Sequence, residues 1–398
     1  MGFDPKIILK GYLDKVEIIS NNKTQTIQTT NPFEELKKLL GKNDDQRYRY
    51  LGGAVGVVNY DAIRLVEDIS DTHNSPEPLM EFGIYDDGIL YDNLHKKLFY
   101  FYHDENRFDK LKMNGDTFGD FHSSKVTPNI NKEKFSDIVN KAKKLIYDGD
   151  IFQVVLSRKF AFENNGDNLT LYKTLRKLNP SPYMYHLKQG SKTIIGASPE
   201  MLVRITDDKV ETFPIAGTRK ITDNDEKNKQ LADELLHDEK ELAEHTMLVD
   251  LGRNDIGRVC KYGSVHPESL MQIKRFSHVQ HIVTHVVGKL APNNDMFDAF
   301  KAVFPAGTVS GAPKVRAMEI IDELETGARG PYAGAVGYFS FNGCCDFAIA
   351  IRSIFIDGNK GFVQSGAGIV ADSVPEHEFK EIEFKAGAML QALKEATK

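Results

Sequence analysis

The sequence predicts an α+β fold, because short strands occur in runs that helices interrupt and do not alternate regularly with helices. The predicted strands fall in residues 1–105, 151–213 and 332–365. The chain has 398 residues, of which 41% are apolar and 27% are charged. This composition is typical of a globular protein that is long enough to bury a large core.

Charge and cysteine content exclude several functional classes. The net charge is −6 and there is no long basic run, which argues against nucleic acid as the main partner. Cys260, Cys344 and Cys345 form no C-x-x-C motif, so we expect reduced thiols. The chain start has no apolar signal core, and no apolar run is long enough to span a bilayer. We therefore expect a cytoplasmic protein.

The N-terminal segment combines short strands with one helix. Asn31 is a predicted helix cap, Pro32 suits the first helical position, and Glu34 would complete a capping box. Residues 97–103 are rich in strand-forming aromatic side chains. Residues 104–130 are polar and rich in Gly and Asn, which indicates a boundary. The sequence thus predicts a smaller subdomain over 1–125 and a larger domain over 126–398.

Further helices are predicted in the larger domain from apolar stripes and from capping residues. A stripe that starts at Phe135 predicts a long helix ending at Gly149. Residues 225–248 are charged and helical in pattern. Other helices are predicted at 277–287, at 313–325 and at 375–396, and the last two open with a proline.

Two pairs of glutamates with the same spacing are the first candidate site. Glu241 and Glu244 lie three residues apart, as do Glu378 and Glu381, so each pair shares one helix face. Close carboxylates repel and favour a cation between them. Four oxygen donors suit Mg²⁺ better than Zn²⁺. The alternative is that both pairs are solvated surface faces.

Three histidines form a second candidate. His278, His281 and His285 would share one face of the predicted 277–287 helix and could form a zinc ligand set. No nearby Glu or Cys completes such a site, and the H-E-x-x-H motif is absent. An acid or base role for one of them is the better hypothesis, because imidazole titrates near neutral pH.

Three other features have both structural and functional interpretations. Gly366, Ala367 and Gly368 follow a strand and either form a tight turn or offer backbone donors to an anion. Gly307–Lys314 is interpreted as a mobile loop before a helix, and it is not a nucleotide-binding Walker loop. Arg352 ends an apolar strand or binds a carboxylate. For Asp250, Arg253, Asn254 and Asp255 we prefer a capping and pairing role after a helix.

A series of motifs along the chain resembles the chorismate-utilising enzymes, and within that family the component I proteins of anthranilate synthase. The resemblance covers residues 130–398 closely and 1–105 more loosely. Its motifs are Gly149–Arg158, Asn179–Met184, Ser198–Glu200, Pro214–Arg219, Glu244–Asp255, Gly307–Lys314, Gly330–Gly337 and Gly366–Val370. It implies a large two-lobed α+β fold, in which antiparallel sheets flanked by helices face each other across the active site.

The resemblance also implies roles for individual residues. Glu200 would protonate the departing C4 hydroxyl of chorismate and His281 would be the acid or base of the later elimination, with Gln153 and Thr218 completing the catalytic set. Glu244 and Glu381 would bind Mg²⁺, supported by Glu241 and Glu378. The ion and the backbone of the substrate-binding glycines would hold the ring carboxylate, and Tyr332 and Arg352 the enolpyruvyl carboxylate. The complete set implied for substrate binding is Gly217, Thr218, Tyr332, Arg352, Gly366, Ala367, Gly368 and Lys385.

Two positions separate this chain from other branches of the family. Ala216 stands where aminodeoxychorismate synthases carry a Lys that forms a covalent adduct, and alanine has no nucleophile. Gln153 stands where isochorismate and salicylate synthases carry a Lys that activates water. The resemblance therefore implies attack of ammonia on C2 of chorismate and elimination of pyruvate to give anthranilate. The ammonia would come from a glutamine amidotransferase subunit.

Two alternatives remain open on the sequence: an aminodeoxychorismate synthase component I, and a non-catalytic subunit that binds chorismate-like diacids. A proton donor at Glu200, the base at His281 and both glutamate pairs argue against the second, because binding alone needs no proton donor.

Weak feedback inhibition by tryptophan is also expected. In the family, tryptophan binding uses a Leu-Leu-Glu-Ser segment together with the region that matches Asn179–Met184, and only the second is found in this sequence. Either the start is truncated or the N-terminal sheet lacks a strand, so the smaller subdomain is expected to be shortened at its start. We predict little inhibition when tryptophan is titrated into an activity assay, and tight inhibition would refute this prediction.

Overall fold

The computed structural model describes residues 1–43, 45–70, 72–73, 75–111, 118–276 and 279–397. Within these ranges there are eight α-helices: α1 (Pro32–Leu39), α2 (Lys132–Tyr147), α3 (Asn168–Leu178), α4 (Asp225–Leu236), α5 (Glu239–Gly257), α6 (Met296–Val303), α7 (Lys314–Leu324) and α8 (Pro375–Ala396). Short 3-10 turns cover Tyr60–Leu65, Phe108–Lys110 and Gly307–Val309.

Twenty-two strands lie in the same described ranges. They are β1 (Ile7–Gly11), β2 (Lys15–Ser20), β3 (Lys23–Gln28), β4 (Gly53–Val58), β5 (Met80–Tyr85), β6 (Asp87–Asp92), β7 (Lys97–Tyr102), β8 (Phe121–Ser123), β9 (Thr127–Pro128), β10 (Gln153–Gly166), β11 (Tyr183–Gln189), β12 (Lys192–Ser198), β13 (Met201–Thr206), β14 (Lys209–Thr212), β15 (Ile215–Lys220), β16 (His266–Arg275), β17 (Val279–Lys289), β18 (Gly311–Ala312), β19 (Ala335–Ser340), β20 (Cys345–Ile349), β21 (Ser353–Asp357) and β22 (Lys360–Ile369).

These strands form two large antiparallel sheets and one hairpin. The twelve-stranded sheet has the order β15-β17-β14-β13-β20-β19-β4-β5-β1-β2-β3, with β16 added on β17. The eight-stranded sheet has the order β11-β12-β21-β22-β10-β18, with β8 and β9 added on β10. Strands β6 and β7 form the separate hairpin. The predicted α+β class with antiparallel sheets is confirmed.

The larger sheet continues across the predicted boundary near residue 125. Strand β4 of the N-terminal segment pairs with β19 of the C-terminal one, from Gly53↔Ser340 to Val58↔Ala335. The two segments therefore share one backbone ladder. The division into 1–125 and 126–398 as separate folding units stays a prediction.

A common apolar core joins the two sheets. It contains Leu156 and Ile195 of the smaller sheet together with Val203, Phe339 and Phe347 of the larger one. Helices α2, α3 and α8 pack together, and α8 lies along β22, while α5 packs on β15 and β17 of the larger sheet. The catalytic candidates therefore sit on two sheets and on two helices, α5 and α8, that lie against different sheets.

Local sequence explains where most helices begin. The Asn31 side chain accepts a hydrogen bond from the Glu34 amide at 3.3 Å, as predicted, although the Asn31 amide donates to Thr29 Oγ1 at 3.1 Å and not to the Glu34 side chain. Pro375 occupies the first turn of α8, as predicted. None of the helices in the described residues is long and apolar enough to cross a membrane.

One predicted helix is two helices in the structure. The charged segment 225–248 is divided between α4 and α5, because Asp238 caps a new helix by accepting a hydrogen bond from the Glu241 amide at 3.2 Å. Helix α5 then continues to Gly257, so the prediction that Asp250 and Asp255 follow a helix is wrong. Their pairing role is confirmed: Asp250 bonds Arg253 at 3.0 Å and Asp255 bonds Lys314 at 2.7 Å.

Candidate active site between the two sheets

The chain crosses between the two sheets at two adjacent points, and each carries a charged residue. Glu200 lies between β12 and β13, and Arg352 lies between β20 and β21. Backbone bonds of 3.1 Å join these crossings, from the Ala197 amide to the Arg352 carbonyl and from the Ile349 amide to the Glu200 carbonyl. Arg352 has φ +51°, a left-handed conformation that arginine rarely adopts. Backbone strain of this kind is concentrated at functional sites.

Glu200 is buried and is suited to donate a proton. Burial raises the pKa of its carboxyl from 4.5 to about 7, while the hydrogen bond from Thr308 and the charge of Arg352 oppose this rise. Thr308 Oγ1 donates to Glu200 Oε1 at 2.9 Å. A carboxyl with a pKa near neutrality is protonated in a substantial fraction of molecules at physiological pH and can still release the proton, which is what general acid catalysis requires.

Arg352 is a cation without a partner in the described part of the chain. There, its guanidinium has neither a side-chain hydrogen bond nor an ion pair. Burial lowers its pKa, against the charges of Tyr332, Glu200 and Glu381. Tyr332 is 2% exposed, and burial raises its pKa to about 12, so its hydroxyl remains a donor. A guanidinium without a partner among the described residues, close enough to Tyr332 for the two to interact electrostatically, is suited to bind a carboxylate.

A β-bulge places His281 in the site. The register of β15 against β17 shifts between Ala216 and Arg219, so that Gly217 and Thr218 lie in the shifted part of the strand. Gly217 has φ +66°, and a Cβ there would lie 2.8 Å from a Leu235 methyl group. The bulge therefore requires glycine and turns the Gly217 carbonyl toward His281.

Hydrogen bonds fix the tautomer of His281. Its Nδ1 lies 2.8 Å from the Gly217 carbonyl oxygen and 3.1 Å from Thr218 Oγ1. A carbonyl oxygen only accepts hydrogen bonds, so Nδ1 carries the proton and Nε2 keeps the lone pair. Burial lowers the pKa of His281, while the Gly217 bond opposes this. The ring is therefore a neutral base at physiological pH.

The predicted helix at 277–287 is wrong, because residues 279–289 form strand β17. The segment is rich in Val, Ile and Thr, whose branched side chains favour a pleated strand over a helix. His285 lies outside the site, where its ring nitrogens contact Glu211 and Glu268, each at 2.9 Å. His278 lies outside the described residues. Because the segment is a strand, the three histidines cannot share one helix face, and the geometry that a three-histidine zinc site required is not present.

The glycines of β22 present backbone amides at an open sheet edge. Strand β21 pairs with β22 only as far as Val363, so the following residues have β10 on one side only. On β10 the Val155 amide donates to the Ser310 carbonyl and the Ser157 amide to Glu325, and both point away from β22. In an antiparallel ladder their partners, Gly368 and Gly366, must then also point outward.

The same register gives Ala367 a different role from its neighbours. Ala367 is paired with Leu156, between the two outward-facing positions, so its amide faces β10. The amides of Gly366 and Gly368 therefore remain available to an anion, whereas the amide of Ala367 is used in pairing with β10.

Both glutamate pairs lie on helices, as the spacing predicted. Glu241 and Glu244 are on α5, and Glu378 and Glu381 are on α8. Burial raises the pKa of Glu244, and the charges of Glu241 and Glu381 raise it further. Burial also raises the pKa of Glu378, and Glu381 again adds to the rise. The two pairs therefore share one electrostatic environment, in which Glu381 is the common member.

Lys385 and Gln153 connect these carboxylates to the rest of the site. Lys385 Nζ lies 2.5 Å from Glu381 Oε1 and donates to the Gly366 carbonyl at 3.1 Å. Gln153 Nε2 donates to Glu244 Oε1 at 3.4 Å, and its buried Oε1 has no hydrogen-bond partner among the described residues. The structure thus brings residues of α5, α8, β10 and β22 together around one space.

The carboxylates fit a hard cation in charge and in donor type. All four donors are oxygens, and their mutual repulsion is the kind that a divalent ion relieves. As the side chains stand, no three His, Cys, Asp or Glu groups of the described residues form a cluster that could hold a metal ion. An ion would therefore be held by carboxylates from both helices together with ligands from outside the chain, such as water or substrate.

Two functional groups were missed by reasoning from the sequence. Thr308 lies in the Gly307–Lys314 motif, but nothing in the sequence indicated that it bonds Glu200. The buried pair Glu325 and Arg329 lies just before Tyr332, and the sequence reasoning assigned it no role. The position of Arg329 directly before the Gly330–Gly337 motif was the signal that could have identified it. The Gly307–Lys314 segment is a 3-10 turn, a short strand and the start of α7.

Comparison with known proteins agrees with this geometry. The model of the chorismate binding enzyme family matches residues 6–391. Anthranilate synthase component 1 of Methanothermobacter marburgensis is 47% identical over 399 residues, covering 100% of this chain and 86% of that protein. The protein of the same name from Acetivibrio thermocellus is 46% identical and covers 100% of this chain and 87% of its own length.

Solved structures give the same result. The crystal structure of anthranilate synthase component I from Streptococcus pneumoniae superposes with a TM-score of 0.84 at 37% identity, covering 98% of this chain and 91% of that chain. An isochorismate synthase from Escherichia coli, at 20% identity and a TM-score of 0.73, shares the fold. The chain therefore belongs to the family of chorismate-binding enzymes.

Proposed function

We propose that this chain is an anthranilate synthase component I, which aminates chorismate at C2 and eliminates pyruvate to give anthranilate, the first committed step of tryptophan biosynthesis. The observation that carries the proposal is the placement of a proton donor, Glu200, and a neutral base, His281, around one unpaired cation, Arg352. The curated relatives that bear this name support the same activity.

Substrate binding follows from the charges of chorismate, which carries two carboxylates. Arg352 and the Tyr332 hydroxyl would bind the enolpyruvyl carboxylate, because Arg352 has no competing partner in the described residues. The outward amides of Gly366 and Gly368 would bind the ring carboxylate, with Lys385 adding positive charge beside them. These contacts hold the ring with C2 and C4 between the two sheets.

The chemical steps assign one proton to each titrating residue. Ammonia attacks C2, the ring double bonds shift, and the C4–O bond breaks so that the hydroxyl leaves as water with the proton of Glu200, while the new C2 ammonium releases one proton to solvent. His281 Nε2 then removes the C2 proton as the C3–O bond breaks, the ring becomes aromatic, and the released enolpyruvate takes up a proton to become pyruvate. Gln153 offers no base to activate water and Ala216 offers no nucleophile, so ammonia is the only nucleophile that this scheme needs.

Mg²⁺ is the cofactor that the donor set favours. Glu244 and Glu381 would hold the ion, with Glu241 and Glu378 supporting them. When bound, the ion supplies positive charge to the ring carboxylate of the substrate. The protein contributes the carboxylates, the amides of β22 and the exclusion of water, and the proton transfers remain on Glu200 and His281.

Replacing Glu244 with Gln should weaken the Mg²⁺ binding that this assignment predicts. The neutral amide is a poorer ligand for a hard cation, so the Mg²⁺ concentration for half-maximal activity should rise at least about tenfold. Calorimetric titration of Mg²⁺ into the protein with chorismate provides a second readout. Glu239→Gln changes an exposed residue on the same helix and is the matched control. Full activity of Glu244→Gln at low Mg²⁺ would exclude the assignment.

The amidotransferase partner follows from the name of the relatives, since a component 1 implies a second component. We propose that this partner releases ammonia from glutamine and that free ammonia replaces it in vitro. Adding the partner subunit should therefore allow glutamine to support turnover, and ammonium salts alone should support turnover without it.

Identification of the product separates the proposal from its two alternatives. The purified chain is incubated with chorismate, ammonium and Mg²⁺, and the products are identified by chromatography and mass spectrometry. Anthranilate and pyruvate in equal amounts support the proposal. Accumulation of aminodeoxychorismate, which yields an aromatic amine only after a lyase is added, would support the first alternative. Tight chorismate binding without any product would support a binding subunit.

A further inference from the structure

A buried ion pair fills a gap in the edge of strand β10. Strand β18 pairs with β10 only at Gln153 and Val154, and β9 pairs with it only from Phe160 onward. Between these positions the backbone of β10 has no neighbouring strand on that side among the described residues. Arg329 and Glu325 occupy this gap, and their side chains are 1% and 6% exposed.

The pair makes the hydrogen bonds that a neighbouring strand would make. Arg329 Nη2 donates to the Val155 carbonyl at 2.7 Å, and Glu325 Oε1 accepts from the Ser157 amide at 2.8 Å. The Ser157 hydroxyl also donates to Glu325 Oε1, at 2.8 Å. Two further bonds, of 2.9 and 2.7 Å, join Arg329 to Glu325 itself. The pair thus satisfies one carbonyl and one amide of β10 with charge-assisted bonds.

These bonds hold the part of β10 that lies opposite the outward amides of β22. The ion pair binds the Val155 carbonyl and the Ser157 amide, both of which point away from β22, so the opposite residues Gly368 and Gly366 are non-hydrogen-bonded partners in the ladder. Their amides therefore point out of the sheet edge. A one-residue shift in the pairing of β10 with β22 would turn the same amides toward β10 and away from an anion.

The same arginine also holds the turn that carries Thr308. Arg329 Nη1 donates to the Val309 carbonyl at 2.7 Å, and Val309 follows directly after Thr308, the donor to Glu200. The guanidinium lies 5.6 Å from the ring centre of Tyr332. The buried Arg329 side chain thus contacts β10, the Thr308 turn and the Tyr332 ring, and it does not itself face the reacting atoms.

Stability alone gives a weak reason to retain such a pair. Removing two charges from water is unfavourable, and replacing a buried ion pair with apolar residues of similar size is often neutral or stabilising. We propose that Arg329 and Glu325 are positioning residues, which fix the carboxylate-binding amides of β22 and the Thr308 turn beside Glu200 as one unit. This inference rests on the proposed function for the identity of the ligand.

The test uses variants of the full-length chain. Arg329→Met combined with Glu325→Leu removes both charges together and avoids leaving one unpaired, while Arg329→Lys keeps the charge but loses the planar fork. Arg316→Gln breaks ion pairs with Asp150, Glu319 and Glu323 near the start of α7, the helix that precedes Glu325, and is the control. The readouts are the thermal midpoint, chorismate affinity by calorimetry without ammonia, and the pH dependence of kcat/KM.

In the double variant we expect chorismate affinity to fall at least about tenfold, and the thermal midpoint to fall as well, because the Val155 and Val309 carbonyls and the Ser157 amide lose buried partners. The alkaline limb of kcat/KM should move to higher pH, because loosening the Thr308 turn removes a bond that favours ionised Glu200. Arg329→Lys should recover part of the affinity, and Arg316→Gln should change neither property. Unchanged affinity together with an unchanged alkaline limb would overturn the proposal.

A milder variant covers the case in which the double variant does not fold. Ser157→Ala removes the hydroxyl that donates to Glu325 and accepts from Gln364 Nε2, and it should lower chorismate affinity by about threefold or more in a folded protein. Wild-type affinity in this variant would then overturn the proposal. The calorimetric readout does not need turnover, so failure of the positioning role is distinguished from failure of the proposed reaction, which would leave the wild type without product.

Discussion

Replacing Glu200 with Gln should reduce kcat for anthranilate formation by about 10²–10⁴-fold, the usual contribution of a general acid. The variant keeps the shape of the side chain and loses its acidic proton. In the wild type, kcat/KM should fall as pH rises through about 7, because burial raises the pKa of Glu200 to that value and the ionised form cannot protonate the leaving hydroxyl. This alkaline limb should be missing from the residual activity of the variant.

The same substitution should stabilise the protein at alkaline pH. The pKa of Glu200 is about 7 in the folded chain against an ordinary value of 4.5, so the folded state binds the proton more tightly than the unfolded state does. The free energy of unfolding therefore decreases as pH rises from about 4.5 to 7, by up to roughly 3 kcal/mol, and Gln removes this loss. Urea titrations at pH 5 and pH 8 measure the difference.

Glu81→Gln is the matched control for the effects on kcat and on the alkaline limb. Glu81 is also buried, and burial raises its pKa, but it lies on β5 near Lys10 and far from the crossings that carry Glu200 and Arg352. Its substitution should leave kcat and the alkaline limb unchanged. Wild-type kcat in Glu200→Gln would exclude Glu200 as the proton donor, whatever the stability of that variant.

Replacing Arg352 with Ala should raise KM for chorismate by about 100-fold or more, because a substrate carboxylate would lose the cation that binds it. The protein without substrate should not lose stability, because Arg352 has no ion pair with the described residues for the substitution to break. Arg352→Lys keeps the charge without the planar fork and should give an intermediate KM. Steady-state kinetics and thermal unfolding measure the two effects.

Arg107→Ala gives the opposite pattern and serves as the control. Arg107 donates at 3.0 Å to Asp87, which belongs to the separate β6–β7 hairpin of the N-terminal segment. Its removal should lower the thermal midpoint and leave KM unchanged. An Arg352→Ala variant with the KM of the wild type would contradict the assignment of Arg352 to a substrate carboxylate.

Local patterns predicted most of the fold correctly where capping residues and periodicity agreed. The helices opened by Asn31 and by Pro375 and the strands that follow residue 332 are present as predicted. The segment that contains His281 failed because histidines at i, i+3 and i+7 suggested a helix face, while the β-branched residues between them favoured a strand. Pairing with β15 and β16 stabilises the strand over the helix. Pairing between distant strands cannot be seen in one sequence.

The composition of the candidate site could be predicted from motifs, but its arrangement could not. Glu200 and Arg352 lie at two neighbouring points where the chain crosses between the sheets, and His281 comes from β17 of the larger sheet. Which of three adjacent residues on β22 offers an amide depends on the register with β10. The buried contact of Arg329 with β10 also depends on tertiary packing, which leaves no periodic signal in the sequence.

Fluorescence of the reaction product tests the central claim most directly. The purified chain is mixed with chorismate, ammonium and Mg²⁺, without any lyase or amidotransferase, and emission characteristic of anthranilate is followed with time. We predict a linear increase that requires all three components and is nearly absent in Glu200→Gln. No fluorescent product from a folded wild-type protein that binds chorismate would contradict the account, as would a product that forms only after a lyase is added.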